Sequence, residues 1–299
     1  MHCAALAPSP EWQTQFSVEV RETPRRTRPL ALVELYSDAM VRHDHSAIPR
    51  PRHVGVIMDG NRRWAVSRGL LSASLGHKVG AEHLSTFLAW LSARDIDHAS
   101  AYVLSADNIR KRAPHEVAYL FTLLEEIIPR RVEAAQSWQL HVSGDLDLLP
   151  APARAALERA MHETAGRPRH ITLAIGYDAH ADIVSAVQRA VSQLDAGELD
   201  GLTVDAVSAQ LTGGPVKDID LIIRTGGDSR TSGFFPWQSK SAELYVVKHP
   251  WPAFTEADLD DALSYYGARR DEVTEGCPSG SRQTTRQLGP ADGISPPVP

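Results

Sequence analysis

The 299-residue chain has two cysteines, Cys3 and Cys277, near opposite ends. It can therefore build neither a disulfide framework nor a cysteine-rich zinc centre, and a reducing, cytoplasmic setting is expected. It has no uninterrupted apolar stretch approaching the roughly 18 to 20 residues of a membrane-spanning helix. At the start, Pro8 and Pro10 follow soon after His2 and Cys3, without the charged opening and apolar run of a secretory leader. A basic excess is missing too: 31 Lys and Arg stand against 37 Asp and Glu, a formal charge of −6. That argues against a nucleic-acid binder, which needs clustered cations to neutralise phosphate, but leaves room for a local pocket for a small anion. Neither GxGxxG nor GxxxxGK[ST] occurs, so a nucleotide site has little support. What is present, 42% hydrophobic and 23% charged residues, describes a soluble chain of one large domain or two small ones.

Residues 1–29 are mixed, proline-punctuated and expected to be disordered, as is the Ser-, Gly-, Pro- and Thr-rich tail 276–299, which has too little apolar surface to offset ordering entropy. Leu32, Leu35, Tyr36 and Met40 have helical spacing and predict a short amphipathic helix over 30–41. Across the remaining catalytic-sized domain, 30–275, apolar runs alternate with helical periodicity. Strands are predicted at 54–58, 99–104, 140–142, 171–175, 220–224 and 244–247, and helices at 80–93, 116–135, 151–163, 181–194 and 257–266. This alternation implies an α/β fold, with right-handed crossovers and a mostly parallel central sheet flanked by helices. Ligands in such sheets bind beyond the carboxyl ends of strands, so chemistry is sought in the turns there.

Three such places stand out. In Met58-Asp59-Gly60-Asn61-Arg62-Arg63-Trp64 a carboxylate, a glycine and an asparagine leave a strand and enter a helix. The first backbone N–H groups there, with the Arg63 guanidinium, suit an anion, although Asp-Gly-Asn is also ordinary turn chemistry. In Arg224-Thr-Gly-Gly-Asp-Ser-Arg230-Thr-Ser232 two arginines flank glycines and hydroxyls and could wrap a diphosphate, or form a solvated loop. Glu243 enters the last strand; meeting Asp59, it would hold Mg²⁺ through oxygen ligands, with water and phosphate completing the octahedron. His77 could donate to a phosphate or be structural.

Taken together, these segments resemble the cis-prenyltransferase family from about residue 35 to 272. The resemblance runs through His53-Val-Gly-Val-Ile-Met-Asp-Gly-Asn-Arg-Arg-Trp-Ala65, Gly76-His-Lys-Val-Gly80, Tyr102-Val-Leu-Ser-Ala-Asp-Asn108, Ser143-Gly-Asp145 and Asp220-Leu-Ile-Ile-Arg-Thr-Gly-Gly-Asp-Ser-Arg-Thr-Ser232. It closes with Trp237-Gln-Ser239, Ala242-Glu-Leu-Tyr245 and Trp251-Pro-Ala-Phe254. The resemblance implies a homodimeric, Mg²⁺-dependent enzyme that joins isopentenyl diphosphate to an allylic diphosphate and leaves a cis double bond. It implies that Asp59 binds the metal with Glu243. Gly60, Asn61, Arg62, Arg63 and Trp64, with His77 nearby, would cradle the allylic diphosphate. Ser105, Asn108 and Arg112 would belong to a segment over the site, with Asn108 taking a catalytic part, and Arg224, Arg230 and Ser232 would hold the isopentenyl diphosphate. No nucleic acid is expected as a partner; peripheral membrane contact is compatible with lipid substrates.

Departures from the family pattern bear on the product. Ala73 stands where many long-chain members have arginine, and Asn-Trp-x-Arg-Pro becomes Asn108-Ile-Arg-Lys-Arg-Ala-Pro114. Tyr-Gly-Gly-Arg becomes Tyr177-Asp-Ala-His180, and Gly233-Phe-Phe-Pro236 replaces the usual Asn or Gly, Phe, Leu, Leu. Val103 and Leu104 occupy the wall where long-chain members keep a small residue, so a short product of about two to four isoprene units is expected, as in the similar short-chain actinobacterial members. Because strand side chains alternate, only one of the two is expected to face the growing chain. Arg-Thr-Gly-Gly with Phe-Phe-Pro also resembles the relative that joins allylic units head-to-middle. A long-chain synthase and a non-catalytic subunit complete the alternatives. The helices at 116–135 and 257–266 could supply a dimer face or simply the core.

Overall fold

A computed structural model describes residues 49–70, 72–194 and 201–275. The expected disorder of both ends and the helix at 30–41 lie outside these residues. The chain divides into two units, 1–46 and 47–299, and everything below concerns the second.

The strand runs that read as continuously apolar form the sheet: β1 His53–Ile57, β2 His98–Ser105, β3 Trp138–Ser143, β4 Arg169–Tyr177, β5 Leu221–Arg224 and β6 Glu243–Val246. They lie in the order β3-β4-β2-β1-β5-β6, and all five pairings are parallel. Parallel strands need helical crossovers and are covered on both faces, which is why β1 and β5 are buried at every position. The sequence between them folds as α1 Asn61–Ser67, α2 Ala73–Ser92, α3 Ala106–Lys111, α4 Pro114–Glu126, α5 Ile128–Ala134, α6 Ala151–Glu163, α7 Ala179–Val191, α8 Val204–Gln210 and α9 Glu256–Glu275. The central strand β1 has β2 on one side and β5 on the other. The chain thus leaves β1 in one direction along the sheet and later builds β5 and β6 in the other, opening a crevice at the carboxyl ends of β1 and β5.

Three details of the local chemistry matter for that crevice. Ser105 ends β2 and caps α3 by accepting from the Asn108 N–H at 3.0 Å, so strand and helix meet without a loop. The single helix expected over 116–135 is two helices: Pro129 has no N–H to donate into the preceding turn, and the break falls at Ile127. In β2 the register with β4 passes from Tyr102↔Ala174 to Leu104↔Ile175, leaving Val103 as an extra, bulged residue. The main core packs α2, α4, α5, α6 and α9 on one sheet face, around Phe87, Leu88, Leu124, Leu157 and Trp251. A second cluster on the other face holds Ile57, Tyr177, Ile222, Phe234 and Phe235. The apolar sides of α4 (Leu120, Leu123, Leu124) and α9 (Leu259, Ala262) are buried in the chain's own core.

Candidate active site

At the end of β1, Gly60 turns the chain with a φ of 96°, and a Cβ there would lie 2.6 Å from the Pro250 Cβ, so only glycine fits. Asp59 is held from both strands of the crevice. Its N–H donates to Thr225 Oγ1 at 3.0 Å, and its Oδ2 lies 3.0 Å from Arg224 Nη2. Arg63, one turn on, reaches Asp59 Oδ1 at 3.4 Å and donates to the Gly226 carbonyl at 2.7 Å. Gly226 and Gly227 both have positive φ and donate to the His249 and Val247 carbonyls, while Thr225 Oγ1, donating to the Asp59 carbonyl at 2.8 Å, fixes the Arg-Thr-Gly-Gly turn against the Asp-Gly-Asn turn. Asn61 donates to the Met58 carbonyl, while its Oδ1 is buried with no partner among the described residues.

Arg224 is almost wholly buried at the end of β5 and forks between anions and acceptors: Nη2 to Asp59 and to Asp228 Oδ2 at 3.1 Å, and Nη1 to Ser232 Oγ at 2.9 Å and to the Arg230 carbonyl. Ser232 takes a φ of 53° and Phe235 one of 44°, and the turn between them is anchored by the buried Phe234 and Phe235, whose rings meet those of Tyr102 and Tyr177. The Phe-Phe departure thus serves to seat the loop that carries Ser232.

Two recesses open on this arrangement. One, about 500 Å³, is lined by residues 58–63, His77 and Arg112. The other, about 920 Å³, adds Ser105, Asn108, Arg224 and Ser232. Both are joined through Met58, Asn61 and His77 to a deeper pocket of about 420 Å³ with apolar walls from Val103, Leu104, Leu120, Leu123, Ile128 and Trp251. Val103 and Leu104 both border this pocket and both pack against the main core cluster, next to the register shift in β2.

Most of the residues singled out in the sequence meet here. Asp59, Gly60, Asn61, Arg62, Arg63, His77, Ser105, Asn108, Arg112, Arg224 and Ser232 all line one or both recesses. Trp64 lines neither; it faces Arg68, whose guanidinium carbon is 5.8 Å from its ring. Arg230 is 80% exposed and turned back on Asp228, 2.6 Å away, so it stands beside the clamp rather than in it. That neighbour holds the Asp228 carboxyl well below the usual carboxylate range. Glu243 does not meet Asp59 within the chain. It opens β6 opposite Leu221; the level of Arg224 and Val246 is already three residues, about 10 Å, further along the parallel strands, and Asp59 lies two residues beyond Ile57, the partner of Arg224. Its nearest charge is Arg269, at 3.6 Å. Among the described residues no three His, Cys, Asp or Glu side chains gather as a metal site. The oxygen set available for a hard cation is the Asp59 carboxylate, which fits Mg²⁺ in the usual way, one or two carboxylates supplemented by substrate phosphate and water.

The sequence reading missed Glu116. This carboxylate, in the first turn of α4, is bonded by Arg112 Nη1 at 2.8 Å and His77 Nε2 at 3.3 Å, with Arg62 Nη1 at 3.6 Å. Burial works to raise its pKa, but Arg112, Arg62 and His77 together bring it below the ordinary value. For His77 burial prevails: with Arg112 beside it, its pKa falls despite the pull of Glu116. A signal was present in Arg112-x-x-x-Glu116, an i,i+4 pair across a helix start, but such pairs are commonplace.

Comparison with known proteins agrees with the geometry. The undecaprenyl diphosphate synthase family model, Prenyltransf, matches residues 57–274. An isoprenyl transferase of Streptomyces fradiae is 36% identical over 240 residues, covering 77% of this chain and 93% of that one. A (2Z,6E)-farnesyl diphosphate synthase of Mycobacterium tuberculosis is 36% identical over 226 residues, 73% of this chain and 86% of its own. A crystal structure of lavandulyl diphosphate synthase from Lavandula x intermedia, in complex with dimethylallyl diphosphate, superposes with a TM-score of 0.67 at 30% identity, covering 74% of this chain and 96% of that chain.

Proposed function

Since the chain belongs to the undecaprenyl diphosphate synthase family of prenyltransferases, we propose that it condenses isopentenyl diphosphate with an allylic diphosphate to a short cis (Z) prenyl diphosphate. The observation that carries this reading is the joining of two cation-lined recesses, which share Asp59, Asn61, His77 and Arg112, to a pocket with apolar walls. One diphosphate lies against Asn61, Arg62, Arg63, His77 and Arg112; the other against Arg224, Ser232 and, on swinging out from Asp228, Arg230. As the allylic carbon–oxygen bond breaks, negative charge develops on the leaving diphosphate, and the preset donors of the first recess stabilise it. The isopentenyl double bond attacks the allylic carbon, and loss of a proton leaves the new double bond. The growing tail enters between Val103, Leu104 and Leu120, which also keep water from the allylic cation. Asp59 is the residue that would hold Mg²⁺; when bound, the metal supplies further positive charge to the leaving group. We take the enzyme to act as a homodimer in the cytoplasm, and no described helix is long and apolar enough to cross a membrane. The farnesyl-type relative favours ordinary chain extension over head-to-middle joining.

Conversion of labelled isopentenyl diphosphate into solvent-extractable product tests the reading. Incorporation should need both an allylic diphosphate and Mg²⁺, and Asp59→Ala should abolish turnover while leaving substrate binding largely intact. Full activity in chelator or in the variant would contradict the metal assignment, and no incorporation under any condition would contradict the function.

A further inference from the structure

An anion site that carries its own anion calls for an explanation. Glu116 lowers the positive potential of the recess that must attract a diphosphate, and a carboxylate in the first turn of α4 could as easily have faced solvent. Instead its side chain is only 13% exposed and gathers three basic side chains from three places: Arg62 on α1, His77 on α2 and Arg112 at the junction of α3 and α4. Among the described residues Glu116 is the only hydrogen-bond or ion-pair partner of each of these side chains. Its own backbone is firmly placed, since Pro114 opens the helix and the Glu116 N–H donates to the Ala113 carbonyl at 3.0 Å. Arg112, by contrast, sits in extended backbone between two helices, on a side chain with many rotamers to lose.

We propose that Glu116 is a positioning residue for the allylic diphosphate: it gathers Arg112, His77 and Arg62 around one carboxylate, presetting three donors from three elements without itself touching substrate. The inference rests on the reading of this recess as the allylic site. A preset fork spares substrate binding the entropy of ordering it, and this outweighs the single negative charge because Arg62, Arg63 and Arg112 leave the recess positive. The same carboxylate favours the charged form of His77, whose pKa burial lowers.

The test is Glu116→Gln, which keeps size and removes charge, with Glu116→Asp as the conservative partner and as the fallback if the Gln variant folds poorly. The KM for the allylic diphosphate should rise about tenfold, the effect of weakening roughly one charge-assisted hydrogen bond, with the KM for isopentenyl diphosphate unchanged. Asp should restore part of the loss, and the limb of the allylic kcat/KM profile on which activity falls as pH rises should move to lower pH in the Gln variant. Calorimetric titration with inorganic diphosphate in chelator should show the same weakening without reference to turnover. Equal rises in both KM values, no change, or tighter diphosphate binding by Glu116→Gln would overturn the proposal, the last by making Glu116 a competitor of substrate. Should the wild type lack transferase activity, the functional reading falls while the diphosphate titration still decides the role of Glu116.

Discussion

Arg224 and Arg230 are six residues apart, have the same chemistry and were expected to play the same part, yet the structure separates them. Arg224 is buried between Asp59 and Asp228, and Arg230 is exposed on a loop. Removing Arg224 takes away a buried guanidinium shared by Asp59, Asp228 and Ser232, though Arg63 and Arg230 still face the carboxylates, so Arg224→Ala should destabilise the fold by about 2 kcal/mol and abolish turnover together. Arg230→Ala should leave the unfolding curve unchanged and raise only the KM for isopentenyl diphosphate, since the lost group acts on substrate and not on the fold. Denaturant unfolding alongside steady-state kinetics checks both; equal stability effects would contradict the separation. The same scale shows why Glu243 does not reach Asp59 within the chain. It opens its strand, Asp59 follows its own, and in a parallel sheet those are opposite ends. That could have been drawn from the sequence, given the parallel topology it implied. Glu116 could not: its meaning lies in Arg62 and His77, distant in sequence and joined to it only by the packing of α1, α2 and α4.

At the scale of elements, the strands were legible because strands buried on both faces read as unbroken apolar runs, and α6 falls on its expected bounds, 151–163. The short helices α3 and α8 were not, since six or seven residues do not complete an apolar period. Nor was the β2 bulge, which depends on the partner strand. The amino ends of the strands hold a further feature set by pairing: His53, His98 and His170 are register neighbours on β1, β2 and β4, and His141 on β3 lies 3.0 Å from His170. Burial lowers all four pKa values, joined by a neighbouring histidine for His53, His98 and His141; His53 falls to about 3 and His141 to about 4. Lys217 and the Asp218 carbonyl face the row from the 211–220 segment, Arg52 and Asp220 lie beside His53, and Asp97 with Arg169 borders His98 and His170. The folded state therefore keeps these rings neutral at pH values where the unfolded chain takes up protons. The stability they allow is complete above the unfolded value of 6.5 and is lost as pH falls toward the folded values. His53 alone, 4% exposed, should contribute a slope of about 1.4 kcal/mol per pH unit between 6.5 and 4. Urea unfolding across that range should show this slope, and His53→Gln should flatten it by that amount; a profile with the same slope in the variant would exclude the histidine as its source.

At the scale of the described fold, the sheet order brings the ends of β1 and β5 together at the crevice where the chain reverses its direction of growth, and the bulged Val103 lies on the wall of the apolar pocket behind it. The central claim is that this pocket stops a cis-extending enzyme early. The most direct measurement is to incubate the purified protein with Mg²⁺, labelled isopentenyl diphosphate and dimethylallyl, geranyl or farnesyl diphosphate in turn, and to resolve the dephosphorylated alcohols by length and double-bond geometry. The account predicts cis alcohols of about two to four isoprene units, and longer ones from Val103→Ala, where the bulged side chain no longer fills the pocket. A ladder reaching about ten units from the unaltered protein, or a branched alcohol from dimethylallyl diphosphate alone, would contradict it.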